Sequence, residues 1–351
     1  MKRSTKAYKM RFNAKVIKLC LLFLSDIILT GCLLCVLAFY HHVLPSEVMQ
    51  DQSLNASATP MQDIIFRTPE PTSGSTNATI VPSGTIEPGA TDVPPQPTAT
   101  PDITMGGIFT TGEIIQTEES YKSKYVSVTC TTYKTDKIVY YVQDIYVRNM
   151  SCFKTAFAKD QYVSGYNTEK IVSFANSKNA IAAINGDQYG ARKNGVVLRN
   201  GYLYRDKPFD DVCVLYNDGT MKIFTEDAFD GERELDNGAY QAWCFGPAMV
   251  LNGEAVTEFD SAIAGKNPRT AIGYYEPGHY CFVAVDGRQD HSEGIRFTDF
   301  AQLLENLGCN MAYNLDGGQT SQMVFMGKYY NSPYNGGRSV NDMIYICDIY
   351  E

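Results

Sequence analysis

"AYNLDGGQTSQMVF" (residues 312–325) ends one apolar run in Asn-Leu-Asp-Gly-Gly and starts a second one after a short polar stretch. Two other segments end in the same way, "AIAAINGD" (180–187) and "CFVAVDGR" (281–288). Short apolar runs of this kind are typical of strands buried on both faces. Each one places amide or carboxylate groups beside a glycine, where the backbone can turn sharply and approach a ligand. The pattern predicts three strand ends around one pocket.

Asn-Gly and Asp-Gly pairs are also ordinary turn formers, so each junction has a second interpretation. The segments 195–204, 211–224 and 245–256 each carry such a pair between two apolar runs and predict β-hairpins. The residues after Asp286 and Asp316 are instead too numerous or too polar for a tight hairpin. At these two positions the sequence favours a site over a turn.

The remaining pattern beyond residue 115 indicates strands with a few helices. "KIVYYVQDIYVR" (137–148) predicts a strand. Helices are predicted over 167–178, capped by Thr168, and over 298–309, capped by Thr298 and stopped at Gly308. We therefore expect a single α+β domain of mixed β-sheets with a few helices, covering residues 115–351.

The N-terminal region predicts a membrane anchor. Residues 19–40 form an apolar run whose one charge is Asp26, and residues 1–18 contain seven basic residues and no acidic one. A run of this length crosses a bilayer as a helix, and the basic side stays in the cytoplasm. The interpretation is a cytoplasmic basic tail (1–18), a single-pass signal anchor (19–40) in the cell membrane and an extracellular C-terminal domain. A cleaved signal peptide and lipidation at Cys32 are the alternatives.

Residues 41–114 are rich in Pro, Thr and Ser. Such a composition buries too little apolar surface to pack a core. The segment predicts a disordered linker that lifts the domain away from the membrane surface.

Charge and cysteine usage narrow the class of partner. The net charge is −9 although seven basic residues lie in the predicted cytoplasmic tail, so the domain is more acidic still. An acidic domain argues against nucleic acid as a partner. The cysteines beyond residue 100 contain no Cys-x-x-Cys pair, which argues against structural zinc in the domain. No cofactor is predicted. Calcium at the carboxylates remains an alternative, although no Asp-x-Asp-x-Asp-Gly loop is present.

Four segments resemble the motifs of the phosphodiester glycosidase domain, a family that includes bacterial exopolysaccharide biosynthesis proteins. They are "AINGDQYG" (183–190), "PRTAIGYY" (268–275), the run from 283 to 325 and "GRSVNDMIYI" (337–346). The resemblance covers about residues 170–350. One difference is Gln319-Thr320-Ser321, where members of the family usually have Gly-Ser-Ser or Gly-Ser-Thr.

The resemblance implies hydrolysis of the bond between a sugar C1 and a phosphodiester oxygen in a surface polysaccharide or teichoic-acid-like polymer. That reaction needs a carboxylate at the sugar, a base for water and cations for the phosphate. The candidate carboxylates are Asp316, Asp286 and Asp187. The candidate substrate-binding residues are Asn185, Arg269, Arg288, Asn314, Gly317, Gly318, Thr320 and Ser321, with the two glycines offering exposed amides.

Three other readings compete with this one. Ser321 could act as a nucleophile with His291 as its base, but "RQDHSEG" is more typical of a solvated loop. The domain could bind cell-surface carbohydrate without turnover. It could also be a metal-dependent phosphodiesterase that breaks the P–O bond.

Overall fold

The computed structural model describes residues 22–35, 48–52, 61–64 and 107–349. Within these residues, no helix combines the length and the apolar character needed to cross a membrane. Helix α1 covers residues 22–35. The predicted span of 19–40 extends beyond the described residues on both sides, and the predicted basic tail lies outside them.

The described part of the chain contains twenty-one strands and three α-helices besides α1, together with short 3-10 helices. The strands are β1 (Val48–Gln50), β2 (Ile115–Gln116), β3 (Ser120–Lys122), β4 (Val126–Lys134), β5 (Val139–Val147), β6 (Phe153–Phe157), β7 (Gln161–Val163), β8 (Ala182–Asn185), β9 (Gly195–Arg199), β10 (Tyr202–Lys207), β11 (Val212–Tyr216), β12 (Met221–Phe224), β13 (Ala239–Trp243), β14 (Ala248–Leu251), β15 (Glu254–Ala255), β16 (Arg269–Glu276), β17 (His279–Val285), β18 (Met311–Asn314), β19 (Met323–Phe325), β20 (Lys328–Tyr329) and β21 (Asp342–Ile346). The helices are α2 (Ile171–Ser177), α3 (Gly231–Asp236) and α4 (Phe297–Asn306).

Three larger sheets and one two-stranded ribbon contain these strands. The largest sheet has nine strands in the order β15-β14-β18-β16-β17-β5-β4-β3-β2. Two five-stranded sheets have the orders β20-β19-β8-β21-β6 and β10-β9-β13-β11-β12, and β1 pairs with β7. Every pairing between the described strands is antiparallel. The expectation of an α+β fold with several sheets and few helices is confirmed.

The core explains why the strands are buried on both faces. One face of the nine-stranded sheet, with Ile272 and Phe282, packs against Ile184 and Ile344 of β8 and β21. Residues that alternate with these, such as Val283, lie on the opposite face in a second cluster with α4. Burying each such side chain stabilises the fold by roughly 1.5–3 kcal/mol before the cost of ordering it. The packing fixes both sheets, and with them the strand ends.

The three predicted hairpins are confirmed. β9 pairs with β10, β11 with β12 and β14 with β15. Asn200 and Asn252 adopt φ of 51° and 53°, and each is followed by a glycine that also has positive φ. These turns match the type that joins twisted strands directly.

Both predicted helices exist, but their starting points need correction. α2 begins at Ile171, without a side-chain cap, and not at Thr168. The chain is still extended before it because Glu169 forms a bridge with Val340. α4 begins at Phe297, so Thr298 lies inside its first turn. Gly308 does end this helix, with a φ of 85° and its N–H donating to the Glu305 carbonyl.

Two short parts of the predicted disordered linker are packed onto the domain. β1 pairs with β7, and the side chain of Asp51 is fully buried and accepts a hydrogen bond from the Tyr204 hydroxyl at 2.7 Å. The Asn149 amide donates to the Met61 carbonyl at 2.7 Å and to the Asp63 carboxylate at 3.1 Å. The linker prediction is therefore wrong for 48–52 and 61–64, because main-chain pairing needs no apolar side-chain pattern. The predicted linker also ends earlier than residue 114, since Phe109 is fully buried and the Thr110 N–H donates to the Ser123 carbonyl at 2.9 Å. The rest of the linker up to residue 106 lies outside the described residues.

Candidate active site

The ends of β8, β17 and β18 lie on two facing sheets. β17 and β18 flank β16 in the nine-stranded sheet, and β8 belongs to a five-stranded sheet. Asn185, at the end of β8, joins the two sheets: its Nδ2 donates to the Asp316 carbonyl at 2.8 Å. Its Oδ1 accepts hydrogen bonds from the Thr270 hydroxyl at 3.0 Å and from the main-chain N–H of Gln322 at 3.2 Å. Asn185 is fully buried, so its amide holds the loop after β18 in place.

A cavity of about 270 Å³ opens beside this junction, and we call it the Arg338 cavity. It brings together the loop after β8, the loop after β18 and the segment that leads into β21. Its walls are formed by Gly165, Tyr166, Thr168, Gly186, Gln188, Ala191, Thr320, Arg338, Ser339, Val340, Asn341 and Asp342. Thr320 is the one predicted substrate-binding residue among them.

Asp316 lies directly behind the wall of this cavity. Its Oδ2 accepts a hydrogen bond from Arg338 Nη2 at 2.9 Å, and Arg338 Nε also donates to the Thr320 hydroxyl. The Asp316 side chain is 10% exposed and that of Arg338 is 43% exposed. Burial raises the pKa of Asp316 above its ordinary range, while Thr320 and Arg338 oppose the rise. The result is a nearly buried carboxyl group paired with a guanidinium that reaches the cavity.

The amides of Gly317 and Gly318 are engaged within the loop. The Gly317 N–H donates to Asp316 Oδ1 at 2.9 Å, and the Gly318 N–H donates to the Pro268 carbonyl at 3.0 Å. The expectation that both amides are exposed to substrate therefore needs correction. They shape the loop that carries Asp316 and Thr320.

Asp286 is a saturated carboxylate. It accepts hydrogen bonds from Tyr141 OH at 2.9 Å and Asn331 Nδ2 at 2.9 Å, and from the Ser332 amide at 3.2 Å. His291 Nε2 lies 3.0 Å from the same carboxylate, which is 1% exposed. Asn331 also donates to the Ser321 carbonyl at 3.2 Å. Asp286 thus ties the loop after β17 to the loop after β18, and it does not line the Arg338 cavity.

Asp187 belongs to a buried group with Arg199 and Asp342. Arg199 Nη2 donates to Asp187 at 2.8 Å and to Asp342 at 3.0 Å, and all three side chains are essentially inaccessible. The Cys244 amide is a further donor to Asp187, at 3.0 Å. Burial and the nearby charge of Asp187 raise the pKa of Asp342 to about 7, against the opposing effect of Arg199. One guanidinium compensates only one of the two negative charges, which is why the pKa of Asp342 lies above its ordinary range.

Gly186 is required where this group meets the cavity. A Cβ at position 186 would lie 2.2 Å from Asp342 Oδ2. The glycine of the "NGD" motif therefore allows the Asp342 carboxyl to approach the turn after β8.

The two arginines proposed from sequence lie outside the Arg338 cavity. Arg269 is 2% exposed, and its guanidinium stacks on Phe297 at 3.9 Å and donates to the Gly265 carbonyl at 2.7 Å. Burial lowers the pKa of Arg269 to about 10. Arg288 is exposed and donates to Asn267 Oδ1 at 2.7 Å. Neither guanidinium faces the cavity that Asp316 adjoins.

Two further predicted residues are buried beside the site. Asn314 Nδ2 donates to the Gly246 carbonyl at 2.7 Å, so the side chain points away from the Arg338 cavity. Ser321 is 1% exposed, and its hydroxyl has no hydrogen-bond partner among the described residues. His291 is bonded to Asp286, which leaves the serine-nucleophile alternative without a base in contact with Ser321.

The cavity-lining residues of the C-terminal segment are not among those predicted from the sequence. Arg338, Asn341 and Asp342 line the cavity, and all three lie in the quoted motif "GRSVNDMIYI". The one arginine of this motif, Arg338, follows two glycines, and this pattern is a sequence signal for a binding residue. Arg199 gave no such signal because it reads as an ordinary strand residue of β9. Among the residues that the structure describes, no group of three or more His, Cys, Asp or Glu side chains is arranged to hold a metal ion.

The structure places a paired carboxyl and guanidinium group beside a cavity. Residues 178–347 match the model of the phosphodiester glycosidase family.

One relative in sequence and one solved structure are similar to this chain. The SPbeta prophage-derived uncharacterized protein YomE of Bacillus subtilis (strain 168) is 34% identical over 200 residues, which cover 53% of this chain and 30% of that protein. This chain thus spans less than a third of that relative's length. The zebrafish N-acetylglucosamine-1-phosphodiester alpha-N-acetylglucosaminidase catalytic domain, auto-inhibited by its pro-peptide, superposes with a TM-score of 0.52 at 17% identity. The superposition covers 64% of this chain and 84% of that one, and it shows a shared fold.

Proposed function

We propose that the domain hydrolyses the C1–O bond of glycosyl phosphodiesters. The observation that carries the proposal is the Asp316–Arg338 pair at the wall of the Arg338 cavity, with 2.9 Å between its oxygen and nitrogen. A phosphodiester of a sugar presents an anion next to an anomeric carbon. The pair offers the Arg338 cation for the phosphate anion and the Asp316 carboxylate for the anomeric carbon.

Arg338 is the proposed phosphate ligand. Its Nε and Nη2 are used by Thr320 and Asp316, whereas its Nη1 has no hydrogen bond to any described residue. A guanidinium that is fixed on one side and free on the other binds a phosphate oxygen with defined geometry. It also stabilises the phosphate as a leaving group, so that a strong general acid is less necessary.

Asp316 and Asp342 are the proposed reacting carboxyl groups. As the C1–O bond breaks, its electron pair leaves with the phosphate oxygen, and the ionised Asp316 stabilises the positive charge that develops at C1. Water adds to C1 and loses a proton. Asp342 is 1% exposed but lines the cavity, and its Oδ1 has no hydrogen-bond partner among the described residues, so this oxygen accepts the proton when ionised. Its pKa of about 7 suits such a role near neutral pH. Asp187 and Arg199 hold Asp342, and Asp286 holds the loops.

The proposed substrate is a surface polysaccharide or teichoic-acid-like polymer, and the proposed location is the outer face of the cell membrane. The anchor remains the apolar run at 19–40. Because β1 begins at Val48, a chain anchored through Tyr40 holds the domain at most roughly 30 Å from the bilayer. The packed segments thus favour a domain close to the membrane over one raised on a long stalk.

Hydrolysis in oxygen-18 water tests the reaction class. The full chain in mild detergent is incubated with a sugar 1-phosphodiester, and the products are analysed by mass spectrometry. Label in the sugar hydroxyl supports C1–O cleavage. Label in the phosphate, lost on addition of a chelator, would instead show a metal-dependent phosphodiesterase. Absence of product across several sugars, with binding retained, would leave a carbohydrate-binding protein. Asp299→Asn, an exposed substitution in α4, is the matched control.

A further inference from the structure

Tyr166 is an exposed aromatic residue at the rim of the Arg338 cavity. Its side chain is 96% exposed, whereas the next most exposed aromatic residue within 107–349, Tyr133, is 40% exposed. Tyr166 nevertheless lines the same cavity as Arg338. Leaving a whole aromatic ring in water gives up the stabilisation that burial would provide.

The turn that carries Tyr166 is fixed on both sides. The Asn167 N–H donates to the Gly165 carbonyl at 3.1 Å, which closes a tight turn around Tyr166. Asn341 Nδ2 donates to the carbonyls of Gly165 at 3.1 Å and Asn167 at 2.7 Å. Asn167 Nδ2 is in turn bound to the Ala158 carbonyl at 2.7 Å. Asn341 therefore clamps the turn to the cavity wall.

Gly190 packs closely beneath the turn. A Cβ at Gly190 would lie 2.7 Å from both Asn341 Nδ2 and the Gly165 carbonyl oxygen. An exposed ring on a mobile loop is common on protein surfaces. Here the main chain that carries the ring is clamped at the mouth of a cavity, so a ligand that stacks on the ring loses little of its binding energy to ordering the turn.

We infer that Tyr166 is the stacking platform for the pyranose ring of the substrate and thereby sets its preference for sugar-bearing phosphates. The inference rests on the proposed function and adds the group that recognises the sugar. The apolar C–H face of a pyranose fits an aromatic ring, and ligand sites combine such surfaces with a few fixed polar groups. Arg338 holds the phosphate, and Tyr166 contacts the ring attached to it.

Calorimetric titration of the full chain in mild detergent tests this inference by binding alone. The probes are glucose 1-phosphate, N-acetylglucosamine 1-phosphate and inorganic phosphate. We expect the unmodified chain to bind at least one sugar phosphate more tightly than inorganic phosphate. Tyr166→Ala should weaken that binding roughly tenfold and leave the affinity for inorganic phosphate unchanged.

Two variants separate the ring from its hydroxyl and from general effects. Tyr166→Phe should bind like the unmodified chain, and so should Tyr133→Ala, which removes an exposed tyrosine outside the cavity. The inference is overturned if Tyr166→Ala keeps the preference, if Tyr166→Phe loses it, or if the unmodified chain shows none. A chain that binds sugar phosphates through Tyr166 but releases no sugar from a diester would refute the proposed function and leave this inference standing.

Discussion

Arg338 and Asp316 form an ion pair, 2.9 Å between Nη2 and Oδ2, that joins the segment before β21 to the loop after β18. Asp316 and Arg338 lie in two different sequence motifs, on segments that come into contact only in the folded domain. Their pairing places one cation at the cavity and one carboxyl group directly behind its wall. The chemistry we propose depends on this contact more than on any other.

Replacing Asp316 with Asn should abolish turnover while the protein stays folded. The amide keeps the size of the side chain but cannot stabilise positive charge at C1. We expect the rate of sugar release to fall by roughly 10³-fold or more. The measurement is sugar release with a thermal unfolding curve for each variant. A folded Asp316→Asn chain with normal turnover would remove Asp316 from the mechanism.

Arg338→Lys should damage catalysis far more than Arg288→Lys. Lysine keeps the charge but cannot bond Asp316, Thr320 and a phosphate oxygen at once. We expect kcat/KM to fall by roughly 100-fold, about 3 kcal/mol in transition-state binding. Arg288 is bonded to Asn267 outside the cavity, so its substitution should change kcat/KM by less than about threefold. The reverse order of the two effects would restore Arg288 as the phosphate ligand.

Asp342→Asn should change how stability depends on pH. The pKa of Asp342 is raised to about 7 in the folded state, so this carboxyl keeps its proton where the unfolded chain has lost it. The contribution of Asp342 to the free energy of unfolding is fully present below about pH 4 and is lost as the pH rises to about 7. The free energy of unfolding changes over this range by at most about 1.4 kcal/mol per pH unit. Denaturant unfolding of both proteins between pH 4 and pH 8 measures the difference. If the free energies of unfolding of the two proteins change with pH in parallel, Asp342 is ionised in the folded protein over this whole range.

A chain beginning at residue 107 should be less stable than one beginning at residue 46. The shorter chain lacks β1 and the segment 61–64, so Tyr204 loses its hydrogen bond to Asp51 and Asn149 loses those to Met61 and Asp63. We expect a loss of about 1–3 kcal/mol in the free energy of unfolding, because several hydrogen bonds are offset by the cost of ordering the segments. Asp51→Ala in the longer chain should act in the same direction. Equal unfolding midpoints would mean that these segments do not stay packed in solution.

The strand ends could be predicted because two kinds of local information agree there. Apolar runs buried on both faces identify β8, β17 and β18, and an adjacent glycine with a polar group marks each junction. The hairpins at Asn200 and Asn252 were predictable for the same reason, since their turn chemistry is local.

The direction of Arg269 could not be predicted without knowing which face of β16 meets the site. Side chains alternate along a strand. Thr270 points toward Asn185, so Arg269 points to the opposite face, beside Phe297. Motif resemblance identifies the strand but not the face on which each residue lies.

Arg338 and β1 were missed because their roles come from long-range contacts. Arg338 reaches Asp316 only because the chain between residues 331 and 341 returns across the loop after β18. β1 joins the domain through main-chain hydrogen bonds to β7, which leave no pattern in the side chains. Both are products of the fold that local propensity does not encode.

A crystal structure of the Asp316→Asn variant with an uncleaved glycosyl phosphodiester tests the central claim most directly. We expect the phosphate within hydrogen-bonding distance of the Arg338 guanidinium and the anomeric carbon beside the side chain at position 316. A phosphate bound at Arg288 or Arg269, with the Arg338 cavity empty, would contradict the proposed site.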